Sequence, residues 1–173
     1  MMDPLGRITE GKDLIGKIRN TLAGFVGYVD RENRREADKT LREAVSRRYE
    51  DQWGRISAIQ RQLIAGSQLE YVDDLEAAAI KMRTFADRIK TAAYGYAGFF
   101  DAVRINSDEL ARIYQHDLGL LENVEKVAHA VDNVESSVGG DGLPAAIRNL
   151  VNLGQEAIDL FNRRDEVILS SSG

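Results

Sequence analysis

The chain has 173 residues, with 23 Lys and Arg against 28 Asp and Glu, two His, two Pro and no Cys. This is the length of one ordinary domain, which can bury a core without a disulfide or a metal. The absence of cysteine excludes disulfides, a cysteine nucleophile, thiolate zinc sites and cysteine-ligated iron–sulfur clusters. Acidic side chains dominate residues 106–173, which argues against nucleic acid as a partner.

Charged residues interrupt every apolar stretch of the chain. The longest uncharged stretches are residues 20–29 and 91–100, far short of the roughly 20 apolar residues that a transmembrane helix needs. The amino terminus lacks a basic region followed by an apolar run, so no secretory signal is predicted. We therefore expect a cytoplasmic protein.

Residues 12–29 predict a first amphipathic helix. Its apolar residues recur at helical spacing: Leu14, Ile15, Ile18, Leu22, Phe25, Val26 and Val29. Glycines at positions 16, 24 and 27 each cost about 1 kcal/mol relative to alanine, so the helix needs a surface against its apolar face. The rest of the chain, a partner protein or a membrane interface could supply that surface. Leu14, Ile18, Leu22 and Phe25 are therefore candidate interaction residues.

A second helix is predicted over residues 31–65, where apolar residues follow one side from Leu41 onward. Before Leu41 the same side has only Ala37 to bury. We therefore expect the first turns of this helix to be solvated or to project beyond the core.

A tight reversal should follow the second helix. Gly66 is suited to a helix C-cap, and Ser67 with Glu70 has the spacing of a capping box that opens a third helix. The apolar face of this third helix continues to Val103 without a proline, so one long helix is predicted.

Asn106 or Ser107 can cap the start of a fourth helix that extends to Val138. Glycines in residues 139–142 end it, and Pro144 fits the first turn of a fifth helix.

These segments predict an all-α fold, an antiparallel bundle of four long helices preceded by the short amphipathic helix, because short connections favour antiparallel neighbours. The alternative is an elongated helical hairpin that completes its core by oligomerising. The predicted organisation is an N-terminal segment over residues 1–29, a bundle over 30–169 and a frayed tail over 170–173.

Catalytic and metal-binding patterns do not occur in the sequence. Di-iron bundles need Glu-x-x-His pairs on two helices, whereas His116 and His129 lie thirteen positions apart and neither follows a glutamate by three residues. The glycine-rich loop lacks the Lys and Ser or Thr of a phosphate-binding loop. We assign no catalytic, cofactor-binding or metal-binding residue, and predict that the protein is not an enzyme.

Asp117 is the one ionisable residue at the centre of an apolar stripe, between Ile113 and Leu121. A buried carboxylate must be paired, hydrogen-bonded or protonated. The sequence therefore predicts either a core ion pair with an arginine such as Arg83 or Arg88, a position near an open end of the bundle, or a ligand-binding or catalytic acid.

Aromatic residues are concentrated in residues 94–101, Tyr-Gly-Tyr-Ala-Gly-Phe-Phe-Asp. Tyr94, Tyr96, Phe99 and Phe100 can bury large areas, and the intervening glycines permit another helix to approach closely. Two interpretations remain open: a packed aromatic crossing in the core, or a site for a partner or ligand.

This segment, together with Arg-Arg-Glu-Ala-Asp at 34–38, resembles a family of uncharacterised bacterial all-helical proteins. The resemblance covers most of the chain from the second helix onward. It implies a helical fold and no activity, because no function is known for that family.

Long amphipathic helices without a catalytic pattern predict a non-enzymatic scaffold or adaptor that acts through protein–protein contacts and associates with itself. The alternative is a peripheral protein attached to membrane surfaces through the first helix. An enzyme or small-ligand receptor ranks last, and would require a pocket beside Asp117 lined by the aromatic segment.

Overall fold

The computed structural model describes residues 4–93 and 95–170, the side chains of residues 4–10 excepted. These residues contain helices and no strand, so the predicted all-α class is confirmed. The helices are α1 (Pro4–Thr21), α2 (Arg34–Ala65), α3 (Leu69–Lys90), α4 (Ala97–Phe100), α5 (Ser107–Ser137) and α6 (Leu143–Ser170). Most of the predicted tail, residues 171–173, lies outside the described residues.

The four long helices, α2, α3, α5 and α6, form a square in cross-section. Consecutive helices run antiparallel, as predicted, and α2 packs on α3 while α5 packs on α6. The connection from α3 to α5 crosses the diagonal of the square, which places α5 beside α2 and α6 beside α3. These two side-by-side pairs run parallel, because Tyr49 contacts Asn123 and Arg55 contacts Asp132 further along the same two helices.

The core is completed within one chain. Aromatic rings link three helices: the ring centroid of Phe85 in α3 lies 4.6 Å from that of Tyr49 in α2 and 5.7 Å from that of Phe161 in α6. Leu121 of α5 is fully buried in the same cluster. The structure is therefore a bundle rather than an open hairpin, and residues of α1 join the same core.

The first helix differs from its prediction, because α1 ends at Thr21 and does not continue to Val29. Gly24 and Gly27 have φ angles of 87° and 89°, a left-handed conformation that glycine adopts readily and that ends a right-handed helix. Residues 22–33, here called the 22–33 segment, lead from α1 to α2.

Burial in the 22–33 segment does not follow the predicted helical face. Phe25 and Tyr28 are buried, whereas Val26 and Val29 are exposed. The reason is the change of backbone direction at the two glycines, which turns alternate side chains toward solvent.

The third helix is shorter than predicted: α3 ends at Lys90, and the chain continues through turns into the single-turn α4. Gly95 has a φ of 84° and permits the change of direction that places Phe100 in the core. Val103, expected on an apolar helical face, is 76% exposed.

The first turns of α2 are not solvated, contrary to expectation. Ala37, Asp38 and Arg42 are all buried there. Sequence patterning missed this because it counts only apolar residues as candidates for burial, whereas two of these three residues are charged and paired with each other.

Of the predicted caps at the α2–α3 reversal, one is confirmed and one is wrong. Gly66 caps α2, and its N–H donates to the carbonyl oxygen of Gln62 at 3.0 Å. The capping box of Ser67 and Glu70 does not form, because Gln68 precedes α3 and makes no side-chain cap bond. Ser67 has a φ of 62° instead and carries the turn.

The caps predicted for the later helices are confirmed. The Asn106 side-chain oxygen accepts a hydrogen bond from the Asp108 N–H at 2.8 Å at the start of α5. Pro144 is the second residue of α6, where its missing N–H removes no helical hydrogen bond.

Candidate functional site

Asp117 is fully buried and paired. Arg164 Nε donates to its Oδ1 at 2.6 Å, and the Tyr28 hydroxyl donates to its Oδ2 at 2.5 Å. The predicted core ion pair is therefore present, but the suggested partners, Arg83 and Arg88, are wrong. Both belong to α3, which lies diagonally opposite α5, whereas Arg164 belongs to the adjacent α6.

Arg164 also reaches across the centre of the bundle to α2. Its Nη2 donates to Asp38 Oδ1 at 2.5 Å, and Asp38 Oδ2 accepts from Arg42 Nε at 2.8 Å. Arg42 Nη1 then donates to the carbonyl oxygens of Ile89 and Lys90 in α3, at 3.0 Å each.

We call Tyr28, Asp38, Arg42, Asp117 and Arg164 the ionic cluster. It joins all four long helices to the 22–33 segment at one end of the bundle.

The charges of the ionic cluster balance, with two carboxylates against two guanidinium groups. Burial raises the pKa of Asp117 to about 6, although the Arg164 guanidinium and the hydrogen bond from Tyr28 oppose that rise. Burial would lower the pKa of Arg164, but the carboxylates of Asp117 and Asp38 outweigh it and raise that pKa. Burial also raises the pKa of Tyr28, which keeps its hydroxyl protonated as a hydrogen-bond donor.

The ionic cluster is closed to solvent. Asp117 and Arg164 have no exposed surface, and Asp38 and Arg42 retain 2% and 3%. A substrate could reach the carboxylates only if the bundle opened. The arrangement therefore cross-links helices, and this is the role the geometry assigns to Asp117.

The aromatic segment lies in the core beside the ionic cluster. Tyr96, Phe99 and Phe100 are buried, whereas Tyr94 lies outside the described residues. The Tyr96 hydroxyl donates to Asp165, and the Arg42 guanidinium lies 5.9 Å from the centroid of the Tyr96 ring. Of the two interpretations left open by the sequence, the described rings have the positions of a packed aromatic crossing.

The apolar face of α1 packs on α5. Ile18 and Phe25 are buried, and Leu14 and Leu22 are partly buried against the same core. Arg19 Nε donates to the carbonyl oxygen of Phe25 at 2.9 Å, which closes the turn after α1. These four candidate residues therefore contact the rest of the chain, and α1 would have to leave α5 to present them elsewhere.

Several surface grooves lie between neighbouring helices of the described residues, and two of them are relevant to the receptor interpretation. One, of about 430 Å³, lies between α3 and α6 and is lined by Asp73, Asp74, Ile147 and Arg148, among others. The other, of about 270 Å³, lies between α1 and α5, and Tyr114 contributes to its wall. Neither groove includes Asp117, so the pocket required by the receptor interpretation is not among them.

The two histidines occupy different surroundings. His116 is half-buried, and burial lowers its pKa with help from Arg164, whereas His129 is exposed and lies near Asp132. Within the described residues, no three His, Asp or Glu side chains are placed to hold a metal ion. The described helices also include none that is both long and apolar enough to cross a membrane.

The outer side of the α2–α3 hairpin carries an unusual set of exposed side chains. Four large hydrophobic residues lie there: Trp53 (37% exposed), Ile64 (53%), Leu69 (62%) and Ile80 (55%). In the described parts of α5 and α6, only Leu169 near the end of α6 is comparably exposed. We call this outer side the α2/α3 face.

The main apolar stripe of each helix gives no indication of the α2/α3 face. The signal was present as a second stripe. Trp53 and Ile64 are eleven residues apart on α2, and Leu69 and Ile80 are eleven residues apart on α3, which is close to three helical turns in each case.

Comparison of the chain with known protein families, curated proteins and solved structures found no match.

Proposed function

We propose that this protein is a non-enzymatic helical scaffold that associates with itself through the α2/α3 face. The observation that carries the proposal is the concentration of four large exposed hydrophobic side chains on one face of one hairpin. Contiguous apolar patches on a soluble domain commonly mark contact sites for other proteins. The proposal includes the cytoplasmic location expected from the sequence.

The register of the hairpin shows how the four apolar residues are arranged on the α2/α3 face. Ser46 Oγ donates to the carbonyl oxygen of Ala86 at 2.9 Å, and Gln60 Nε2 donates to that of Val72 at 3.2 Å. These two contacts fix which residues of α2 and α3 lie at the same height along the bundle.

In this register Trp53 lies at the height of Ile80, and Ile64 lies at the height of Leu69. The α2/α3 face therefore carries two apolar pairs, each with one member on each helix. Eleven residues separate the pairs along either helix, a distance of about 16 Å.

The size of the hairpin suits a stable interface. The 22 residues of α3 span about 33 Å, and two helices side by side are about 20 Å wide. Such a footprint approaches the roughly 800 Å² per partner that specific protein interfaces bury. Association through the whole face would cover both apolar pairs.

Membrane attachment through α1 is the alternative function, and its support is weaker because the apolar face of α1 packs on α5. We expect the chain to remain in solution when mixed with vesicles that contain anionic lipid. Sedimentation of the protein with those vesicles would favour the alternative instead.

Light scattering coupled to size exclusion tests self-association directly. We expect a mass above that of the monomer at tens of micromolar for the wild type, and a monomer for Ile80→Glu. Val103→Glu is the matched control, because Val103 is more exposed than Ile80 but lies in a loop away from the α2/α3 face. A wild type that remains monomeric throughout this range overturns the proposal.

A further inference from the structure

We propose that the partner on the α2/α3 face is a second copy of the chain, related by a two-fold axis parallel to the bundle. This inference rests on the proposed function. In this arrangement α2 of each copy lies antiparallel on α3 of the other copy. A residue of α2 therefore meets the partner's copy of the α3 residue that lies at the same height along the bundle.

The charges along the α2/α3 face have the pattern that this arrangement requires. Three side-chain contacts set the register of α2 and α3. After each contact, the next residue on α2 and the next residue on α3 are exposed and carry opposite charges. These pairs are Glu43 with Lys90, Arg47 with Asp87, and Arg61 with Asp73.

None of these six residues joins an ion pair within the part of the chain that the structure describes. All six are exposed, so their charged groups are open to a neighbouring molecule. The partner's helix, lying over the face, brings each member beside its opposite charge. Complementary charges of this kind fix register and exclude wrong arrangements.

The apolar residues match in the same arrangement. Trp53 meets the partner's Ile80, and Ile64 meets the partner's Leu69, with each contact made twice by symmetry. Gly54 lies beside Trp53 on the exposed side of α2, and a Cβ built there has no neighbour within 4 Å. A missing side chain at this position lets the partner's helix approach closely.

A two-fold axis perpendicular to the helices fits the face less well. It would still cover the apolar residues, with Trp53 on the partner's Ile64. It would also place Asp73 against the partner's Glu76, and would leave Arg47 beyond the end of the contact. Like charges brought together at an interface oppose association.

Charge reversal distinguishes the arrangements. Arg47→Glu alone and Asp87→Arg alone should each weaken the dimer about tenfold or more, measured by sedimentation equilibrium, because each places like charges together twice per dimer. The double variant Arg47→Glu/Asp87→Arg should return to within about threefold of the wild type. Glu122→Arg and Lys126→Glu, exposed on α5, are the matched controls and should leave the dissociation constant unchanged.

The outcomes separate this inference from the proposed function. If the wild type dimerises and Ile80→Glu dissociates it, but the double reversal is no tighter than the single ones, the two-fold axis proposed here is wrong and self-association stands. If the wild type is monomeric, both fail. Thermal melts show whether each variant folds cooperatively. The α5 controls should melt as the wild type does, and a variant that no longer dimerises should melt lower because it loses the stabilisation that association contributes.

Discussion

The ionic cluster and the α2/α3 face reverse the usual distribution of side chains in opposite ways. One buries four charged residues at the end of the bundle, and the other exposes four large hydrophobic residues along its side. The buried charges find their partners within the chain. The exposed apolar residues keep 37% to 62% of their surface open to solvent, although the Arg83 guanidinium lies 5.7 Å from the centroid of the Trp53 ring. The difference leads to two separate hypotheses: the ionic cluster holds the helices in one arrangement, and the α2/α3 face is the surface through which the protein associates.

The ionic cluster matters because it connects the helices to one another, rather than because it adds net stability. Removing charges from water costs several kcal/mol for each ion, and attraction between them offsets this only when geometry and hydrogen bonding are good. Arg164 of α6 pairs with Asp117 on the adjacent α5 and with Asp38 on the diagonally opposite α2. An arrangement with different neighbouring helices would leave at least one of these charges buried alone.

The largest effect is expected from breaking the ionic cluster. Asp117→Ala should lower the free energy of unfolding by about 3 to 5 kcal/mol, because Arg164 keeps its buried charge with one partner fewer. Asp117→Asn should cost less, since it retains the volume and part of the hydrogen bonding. Urea denaturation measures both, with the exposed Asp51→Ala as control, expected within about 0.5 kcal/mol of the wild type. An Asp117→Ala variant with the same free energy of unfolding as the wild type would refute the cross-linking role.

The pH dependence of stability tests the charge state of the cluster. Because the pKa of Asp117 is raised to about 6, this carboxyl favours folding when protonated. Its contribution is present below the unfolded pKa near 4 and is lost as the pH rises through 6. The stability of the wild type relative to Asp117→Asn should therefore fall between pH 4 and 7, by at most about 3 kcal/mol.

The difference in stability between the wild type and Asp117→Asn isolates the contribution of the Asp117 carboxyl. The lowered pKa of His116 acts with the opposite sign, because protonation of a half-buried imidazole weakens the fold as the pH falls. That effect occurs in both proteins and cancels in the comparison. A difference that stays constant from pH 4 to 7 would show that Asp117 titrates with an ordinary pKa.

A smaller effect is expected at the hydroxyl that ties the 22–33 segment to the cluster. Tyr28→Phe removes the donor to Asp117 Oδ2 and the acceptor for Arg164 Nη2, which should cost about 1 to 3 kcal/mol. Tyr71→Phe, on a half-buried ring of α3, is the control and should change stability by less than about 0.5 kcal/mol. Equal effects of the two substitutions would argue against a specific role for the Tyr28 hydroxyl.

Sequence periodicity predicted most of the long helices and the burial of Asp117, because an apolar stripe fixes which side of a helix faces the core. It did not predict Arg164 as the partner, since that depends on which helices are neighbours. A signal for the pair existed. Arg164 lies in the α6 stripe between Phe161 and Ile168, as Asp117 lies in that of α5, so the two helices each carry one charge of opposite sign in the core.

The errors at Thr21 and Lys90 have a different cause. Apolar spacing continued past both helix ends, but Gly24, Gly27 and Gly95 adopt left-handed conformations that turn the chain. A glycine is compatible with a helix and with a turn, so its conformation is decided by tertiary contacts such as the burial of Tyr28.

The smallest change, Gly54→Ala, should raise the stability of the chain and weaken its association. Within one chain the new methyl group meets nothing, so the variant should be more stable by about 0.5 to 1 kcal/mol through its higher helix propensity. At the α2/α3 face the same methyl group would hold the partner's helix away and weaken the dimer. Gly16→Ala on α1, also without a neighbour within 4 Å, is the matched control: it should stabilise the chain similarly and leave association unchanged. Urea denaturation and sedimentation equilibrium measure the two effects, and a Gly54→Ala variant that dimerises as tightly as Gly16→Ala would place Gly54 outside the contact.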